Sequence, residues 1–159
     1  MIDNPGGAFD GQDVGLIDTF VAEGAQQGNP ANETAWVNGI LGGLGVDPVT
    51  YYIKDEPVTY YGTDTADVFA FFMAGNDSEY YLIKNATRIA LFQNLADLDW
   101  GVFDVSLLSE AMNLGGDSYT ISHVTRFDGT TTTVPEPATL ALFGFGLLGL
   151  GIARRRKAA

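Results

Sequence analysis

The sequence contains no cysteine and only one histidine, His123. Disulfides, thiolate zinc sites and cysteine nucleophiles are therefore excluded, and a chain without cysteine suits export to an oxidising compartment. The G-x-S-x-G sequence that presents a nucleophilic serine is also missing. We therefore interpret His123 as a structural residue. We expect a protein that is not an enzyme, with no catalytic residue, no cofactor and no bound metal.

Basic residues are scarce in the first 134 residues, which contain nineteen acidic residues but only four basic ones, Lys54, Lys84, Arg88 and Arg126. The resulting net charge of −15 repels phosphate groups. Nucleic acid and anionic lipid are therefore excluded as expected partners of this part of the chain. Loose binding of calcium by acidic loops stays open.

Short stretches rich in Val, Ile, Thr, Tyr and Phe recur between residues 49 and 127, separated by turn residues. A further strand is predicted over Gly15–Val21. Such spacing is typical of an antiparallel β-sandwich, and we predict a mainly β, jelly-roll-like sandwich. Gly75-Asn76-Asp77-Ser78 indicates a hairpin loop between two of its strands.

One helix is predicted within this body, over about residues 29–42. Asn29 is a favoured N-cap, and Pro30 is favoured at the first helical position. Five apolar side chains follow at helical spacing and predict a face that packs across an edge or end of the sandwich: Trp36, Val37, Ile40, Leu41 and Leu44.

Two groups of side chains are candidates for chemistry. Asp97, Asp99 and Asp104 lie close enough in sequence for acid–base catalysis, but acids beside a strand commonly occupy turns, which we favour. Adjacent tyrosines occur in three strands, and alternation predicts that one of each pair is buried and the other exposed. Exposed tyrosines suit sugar stacking, so a polysaccharide-binding face stays open. The pairs are Tyr51 and Tyr52, Tyr60 and Tyr61, and Tyr80 and Tyr81.

The chain has no apolar run of the usual transmembrane length. The uncharged residues 138–153 reach roughly 24 Å as a helix, against a hydrocarbon core of about 30 Å. We predict that they form a short C-terminal transmembrane helix. Pro135, Glu136 and Pro137 precede it. The cations that follow are expected to stay in the cytoplasm and to place the body outside: Arg154, Arg155, Arg156 and Lys157.

This order of motif, glycine-rich apolar run and basic block resembles the PEP-CTERM sorting signal of Gram-negative bacteria that make extracellular polysaccharide. The resemblance implies that exosortase, a membrane-embedded protease-transpeptidase, recognises Pro135, Glu136 and Pro137 and cuts nearby. Residues 138–153 would be in the membrane transiently, and 154–157 would stop transfer. The four glycines within 144–151 each weaken a helix by about 1 kcal/mol relative to Ala, which favours a temporary anchor. Trp100-Gly101 and Ile121-Ser122-His123-Val124 also resemble the body of such proteins.

The resemblance implies a body over residues 1–128, a Thr-rich linker over 129–134 and a sorting signal over 135–157. The expected protein is non-enzymatic. It passes through the inner membrane and ends at the cell surface or in the polysaccharide matrix. Two alternatives stay open, a permanent membrane anchor and a carbohydrate- or calcium-binding surface module.

The first seven residues contain neither a cation nor an apolar run, whereas a sorted protein needs a signal peptide. We therefore expect that the sequence begins downstream of the true N-terminus.

Overall fold

The computed structural model describes residues 2–3, 11–73, 78–95, 99–112 and 121–129. These residues form ten β-strands, one α-helix and two short 3-10 helices, Val105–Leu107 and Glu110–Met112. The elements in chain order are β1 Ile2–Asp3, β2 Asp13–Gly15, β3 Thr19–Ala25, α1 Pro30–Gly43, β4 Val49–Asp55, β5 Tyr60–Gly62, β6 Val68–Phe72, β7 Tyr80–Lys84, β8 Arg88–Gln93, β9 Trp100–Asp104 and β10 His123–Gly129.

All strand pairs in the described part of the chain are antiparallel. The larger sheet has the order β3-β8-β7-β10-β4, the second has the order β5-β6-β9, and β1 pairs with β2. The last strand of the body, β10, therefore lies inside the five-stranded sheet rather than at its edge. The prediction of a mainly β, antiparallel fold with one helix is confirmed.

An aromatic core joins the two larger sheets. Phe71 and Phe103 of the three-stranded sheet pack against Tyr81 and Phe92 of the five-stranded sheet. The ring centroids are 5.1 Å apart for Phe71 and Tyr81 and 6.1 Å apart for Phe92 and Phe103. Full burial of each such ring contributes about 1.5–3 kcal/mol, so this layer is a main source of the body's stability.

The helix α1 covers the opposite face of the five-stranded sheet. Its N-cap is the predicted one, because the Asn29 side chain accepts a hydrogen bond of 3.0 Å from the Asn32 N–H. Val37 and Leu41 are buried against apolar side chains of this sheet. The expected position at an edge or end of the sandwich is wrong, because the sheet is apolar on both faces and needs cover on both.

The buried stripe of α1 also differs from the predicted one. Leu44 follows the last helical residue and is exposed, whereas Glu33 is buried with Val37 and Leu41 at successive four-residue steps. Trp36 and Ile40 are partly buried. An acid therefore occupies a position in the helix that the apolar pattern does not mark.

The predicted hairpin across residues 75–78 is wrong. Its flanking strands β6 and β7 belong to different sheets. Asn85 instead forms the turn of the β7–β8 hairpin, where its Oδ1 accepts hydrogen bonds from the Thr87 and Arg88 N–H groups at 2.8 and 2.7 Å. Such Asx turns replace backbone hydrogen bonds at tight corners.

The prediction that one tyrosine of each pair is buried and the other exposed is also wrong. Tyr80 and Tyr81 are both buried because β7 is covered on one face by α1 and on the other by the second sheet. Tyr51 and Tyr52 are both exposed. They lie on the edge strand β4, where the pairing with β10 shifts register.

No helix in the described ranges is both long enough and apolar enough to cross a membrane. The predicted transmembrane helix over residues 138–153 lies outside the described residues. So do Pro135, Glu136 and Pro137, and the basic residues Arg154, Arg155, Arg156 and Lys157.

Candidate functional site

A buried ionic cluster lies between α1 and the five-stranded sheet. The Oε1 atom of Glu33 in α1 lies 3.0 Å from Lys84 Nζ of β7 and 3.1 Å from His123 Nε2 of β10. Thr125 donates its hydroxyl to Glu33 Oε2 at 2.7 Å. Lys84 Nζ also donates to the Gln27 carbonyl at 2.5 Å. Both oxygens of the carboxylate are thereby satisfied by side chains from two neighbouring strands.

Strand register explains why these side chains meet. His123 pairs directly with Lys84, and Thr125 pairs with Leu82 two residues along. Side chains two apart on a strand share a face, so His123 and Thr125 both point toward α1. Glu33 lies in the first turn of α1, one turn before Val37. Its side chain points from the helix towards the same face of the five-stranded sheet.

The electrostatics keep Glu33 ionised. Burial alone would raise its pKa, but the hydrogen bonds from His123, Thr125 and Lys84 outweigh burial and lower the pKa to about 2. The carboxylate is fully enclosed, so it is not placed to meet a substrate. Its chemical role in this position is to hold the start of α1 on β7 and β10.

A second buried carboxylate, Asp18, joins the two sheets. Asp18 Oδ2 accepts hydrogen bonds from the Tyr81 hydroxyl at 2.8 Å and from the Val102 N–H at 2.7 Å. Its Oδ1 accepts a third from the Leu95 N–H at 2.8 Å. Burial raises the pKa of Asp18 to about 6, although these three hydrogen bonds oppose the rise. This residue ties the start of β3 to β7, to β9 and to the end of β8.

The titration of Asp18 predicts a specific pH dependence. A folded-state pKa of about 6, raised from 3.8, means that the folded state binds the proton more tightly than the unfolded state. Stability is then lost as the pH rises from about 4 to about 6, by about 3 kcal/mol from this group. The natural chain should therefore lose stability relative to Asp18→Asn between pH 4 and 7. Urea denaturation at several pH values measures this difference in the free energy of unfolding. A constant difference between the two proteins would contradict the assignment.

The acids considered for catalysis do not come together. Asp99 directly precedes β9 and Asp104 ends it, so the two lie at opposite ends of that strand. The Asp104 side chain accepts a hydrogen bond from the Ser106 N–H and caps a 3-10 helix. Asp97 lies outside the described residues. In the parts of the chain that the structure describes, no three His, Asp or Glu side chains form a group that could hold a metal.

Neither the cluster of Glu33, Lys84 and Thr125 nor the buried Asp18 was predicted from the sequence. One signal was available, because Glu33 precedes Val37 and Leu41 at four-residue steps and therefore shares their helix face. A charged residue in an apolar stripe calls for a buried partner. The identity of that partner depends on strand pairing.

The comparison with family models bears on the C-terminal residues. Residues 133–157 match the PEP-CTERM protein-sorting motif, which confirms the resemblance inferred from the sequence. No curated protein and no solved structure is similar enough to count as a match. The motif implies sorting by exosortase, with transient membrane anchoring and then export in a Gram-negative bacterium.

Proposed function

We propose that this chain is a non-enzymatic exported protein that exosortase cleaves near Pro135, Glu136 and Pro137. The released body then belongs to the cell surface or the extracellular polysaccharide matrix. The single observation that carries the proposal is the sorting motif at residues 133–157. In this proposal residues 138–153 cross the inner membrane transiently, and the basic block 154–157 stops transfer.

The position of β10 supports a cut at this place. β10 ends at Gly129, six residues before Pro135. A cut near the motif therefore leaves every strand of the body in the product, including β10 between β7 and β4. The body would keep its buried ionic cluster after release.

We extend the proposal to the organisation of the chain. The body covers residues 1–128 as a jelly-roll-like sandwich, residues 129–134 link it to the tail, and residues 135–157 form the signal. The packing of Phe71 and Phe103 on Tyr81 and Phe92 supports the sandwich. Gly129, the first linker residue, still pairs with Val49.

Mass spectrometry of the C-terminal peptide from the host's surface fraction tests the processing. We expect a peptide that ends close to Pro135–Pro137. Combined replacement of Pro135, Glu136 and Pro137 by alanine should leave the uncut chain in the inner membrane. Replacement of Thr130, Thr131 and Thr132 by alanine, just before the matched residues 133–157, is the matched control and should be processed normally. A natural chain that retains Ala159 in the inner membrane would instead establish a permanent anchor.

One observation favours a second candidate function, binding of the matrix polysaccharide by the body. Tyr51 and Tyr52 are both exposed on the edge strand β4, and exposed tyrosine rings suit stacking on sugars. The Arg126 guanidinium covers one face of the Tyr52 ring, 5.6 Å from its centroid. Host exopolysaccharide should then raise the melting temperature of the body in a saturable way. Tyr51→Ala with Tyr52→Ala should abolish the rise, whereas Leu107→Ala, at another exposed position, should not. A flat response of the natural chain would exclude this function.

A further inference from the structure

The five-stranded sheet has one end at which the chain leaves the body. β10 finishes there at Gly129, opposite Val49 at the start of β4. The pairs Phe127–Tyr80, Tyr80–Gln93 and Gln93–Thr19 continue the same row across the sheet. We call this the exit end. It comprises the starts of β3, β4 and β7 and the ends of β8 and β10.

Three exposed leucines lie at the exit end. Leu44 follows the end of α1, five residues before Val49, and is 64% exposed. Leu95 follows β8 by two residues and is 45% exposed. Leu16 is 64% exposed and precedes Asp18 by two residues, and Asp18 binds the Leu95 N–H. Three separate connections therefore bring leucines to the end from which the tail departs.

The second sheet adds an aromatic side chain to this end. Phe72 is exposed and ends β6, where it pairs with Trp100 at the start of β9. The Val102 N–H, two residues further along β9, binds Asp18. Phe72 therefore lies on the same side of the molecule as Leu95 and Leu16.

The length of the connecting chain restricts where this end can lie. Eight residues lie between Gly129 and Ala138, the first residue of the apolar run, so nine Cα–Cα steps join the two. Fully extended, they span at most about 30 Å. With residues 138–153 inserted in the bilayer, Gly129 at the exit end must stay within that distance of the membrane, whereas the other end of the seven-residue β10 is free to lie up to about 20 Å further away.

We propose that the exit end, with Leu16, Leu44, Phe72 and Leu95, contacts the outer surface of the inner membrane while the tail is inserted. This inference rests on the proposed function, because it requires residues 138–153 to enter the bilayer. It adds an orientation of the body, with one defined surface against lipid.

The charges of the described residues select the kind of lipid. Asp47, Glu79, Asp99 and Asp128 lie in or next to the segments that form the exit end. The body's lysines lie towards the other end, since Lys84 pairs with His123 and Lys54 with Thr125. Arg88 pairs with Ala25, the last residue of β3. An acidic end is repelled by anionic headgroups, so the fitting partner is a zwitterionic lipid surface.

The absence of cysteine makes a site-specific test possible. Leu16→Cys, Leu44→Cys and Leu95→Cys would each carry one environment-sensitive dye on the full-length chain in phosphatidylcholine vesicles. Leu107→Cys is the matched control, because Leu107 is 49% exposed in the 3-10 helix that follows the far end of β9. We expect lipid-attached quenchers to reduce emission at least twofold more at the three exit-end positions than at residue 107.

Each outcome of this test decides the inference. Equal quenching at all four positions, or the strongest quenching at residue 107, would overturn it. Failure of the natural chain to float with the vesicles would overturn the membrane segment and this inference with it. Replacing one third of the lipid by phosphatidylglycerol should lower the difference in quenching between the exit-end positions and residue 107. An increase in that difference would overturn the choice of zwitterionic lipid.

Discussion

Glu33→Ala is expected to lower the free energy of unfolding by about 3–5 kcal/mol, the range for removing one partner of a buried ion pair. The variant leaves the Lys84 ammonium enclosed with the Gln27 carbonyl, and it removes the shared acceptor of His123 and Thr125. It also opens a cavity at the start of α1. Equilibrium denaturation in urea near pH 7 measures the loss.

The surface pair Lys54–Glu56 provides the control for Glu33. Both of its side chains are substantially exposed, and such pairs contribute little because water and salt screen them. Glu56→Ala should therefore leave the midpoint of unfolding unchanged. If Glu33→Ala is no more destabilising than Glu56→Ala, the buried cluster does not hold α1 on the sheet.

The pH dependence of Glu33→Ala provides a second test. The pKa of Glu33 is lowered from 4.5 to about 2 in the folded state, so its contribution is complete above pH 4.5. That contribution is lost as the pH falls toward 2. The difference in stability between the natural chain and Glu33→Ala should therefore narrow over this interval, opposite in direction to the effect of Asp18.

Gly101→Ala is the other substitution with a large expected effect, a loss of about 3 kcal/mol or more from overpacking. Gly101 of β9 pairs directly with Phe71 of β6. A Cβ at position 101 would lie 2.6 Å from Phe71 Cε1, a separation that forces the ring to move. Phe71 is buried between Tyr81 and Phe103, so the ring has little space into which to move.

Gly62 provides the matched control within the same sheet. A Cβ at Gly62 would lie 3.7 Å from Phe69 Cε1, an ordinary contact, so Gly62→Ala should be close to neutral. Phe71→Leu leaves a cavity of its own, but Gly101→Ala should cost less in that background, because a smaller side chain makes room for the new methyl group. Thermal unfolding of the natural chain, the three single variants and the double variant measures these effects. If Gly101→Ala is as destabilising in the Phe71→Leu background as in the natural chain, the clash with Phe71 is not the cause.

Local signals predicted much of the secondary structure. Asn29 and Pro30 predicted the start of α1, and the strand-rich segments lie close to the observed β4 to β10. Such signals depend on neighbours in sequence, such as a cap and its first turn. The predicted strand over Gly15–Val21 was less accurate, because the turn at Leu16–Asp18 divides it into β2 and β3.

The functional residues also fall into a part that the sequence predicted and a part that it did not. The sorting motif is a linear pattern, so Pro135, Glu136 and Pro137 were found from the sequence alone, and the match at 133–157 confirms the motif. The role of Glu33 was not found, because its partners Lys84 and His123 lie 51 and 90 residues away. No sequence spacing indicates a contact that depends on β10 entering the sheet beside β7.

The sequence by itself therefore determined the strand and helix content, the acidic charge of the body and the C-terminal sorting motif. All three follow from composition or from residues adjacent in the chain. Only the tertiary structure decided that Tyr80 and Tyr81 are both buried, that Gly101 makes room for Phe71, and that Leu16, Leu44 and Leu95 share one end of the sheet. These results depend on how the sheets pair and pack, which brings together residues that are distant in the chain.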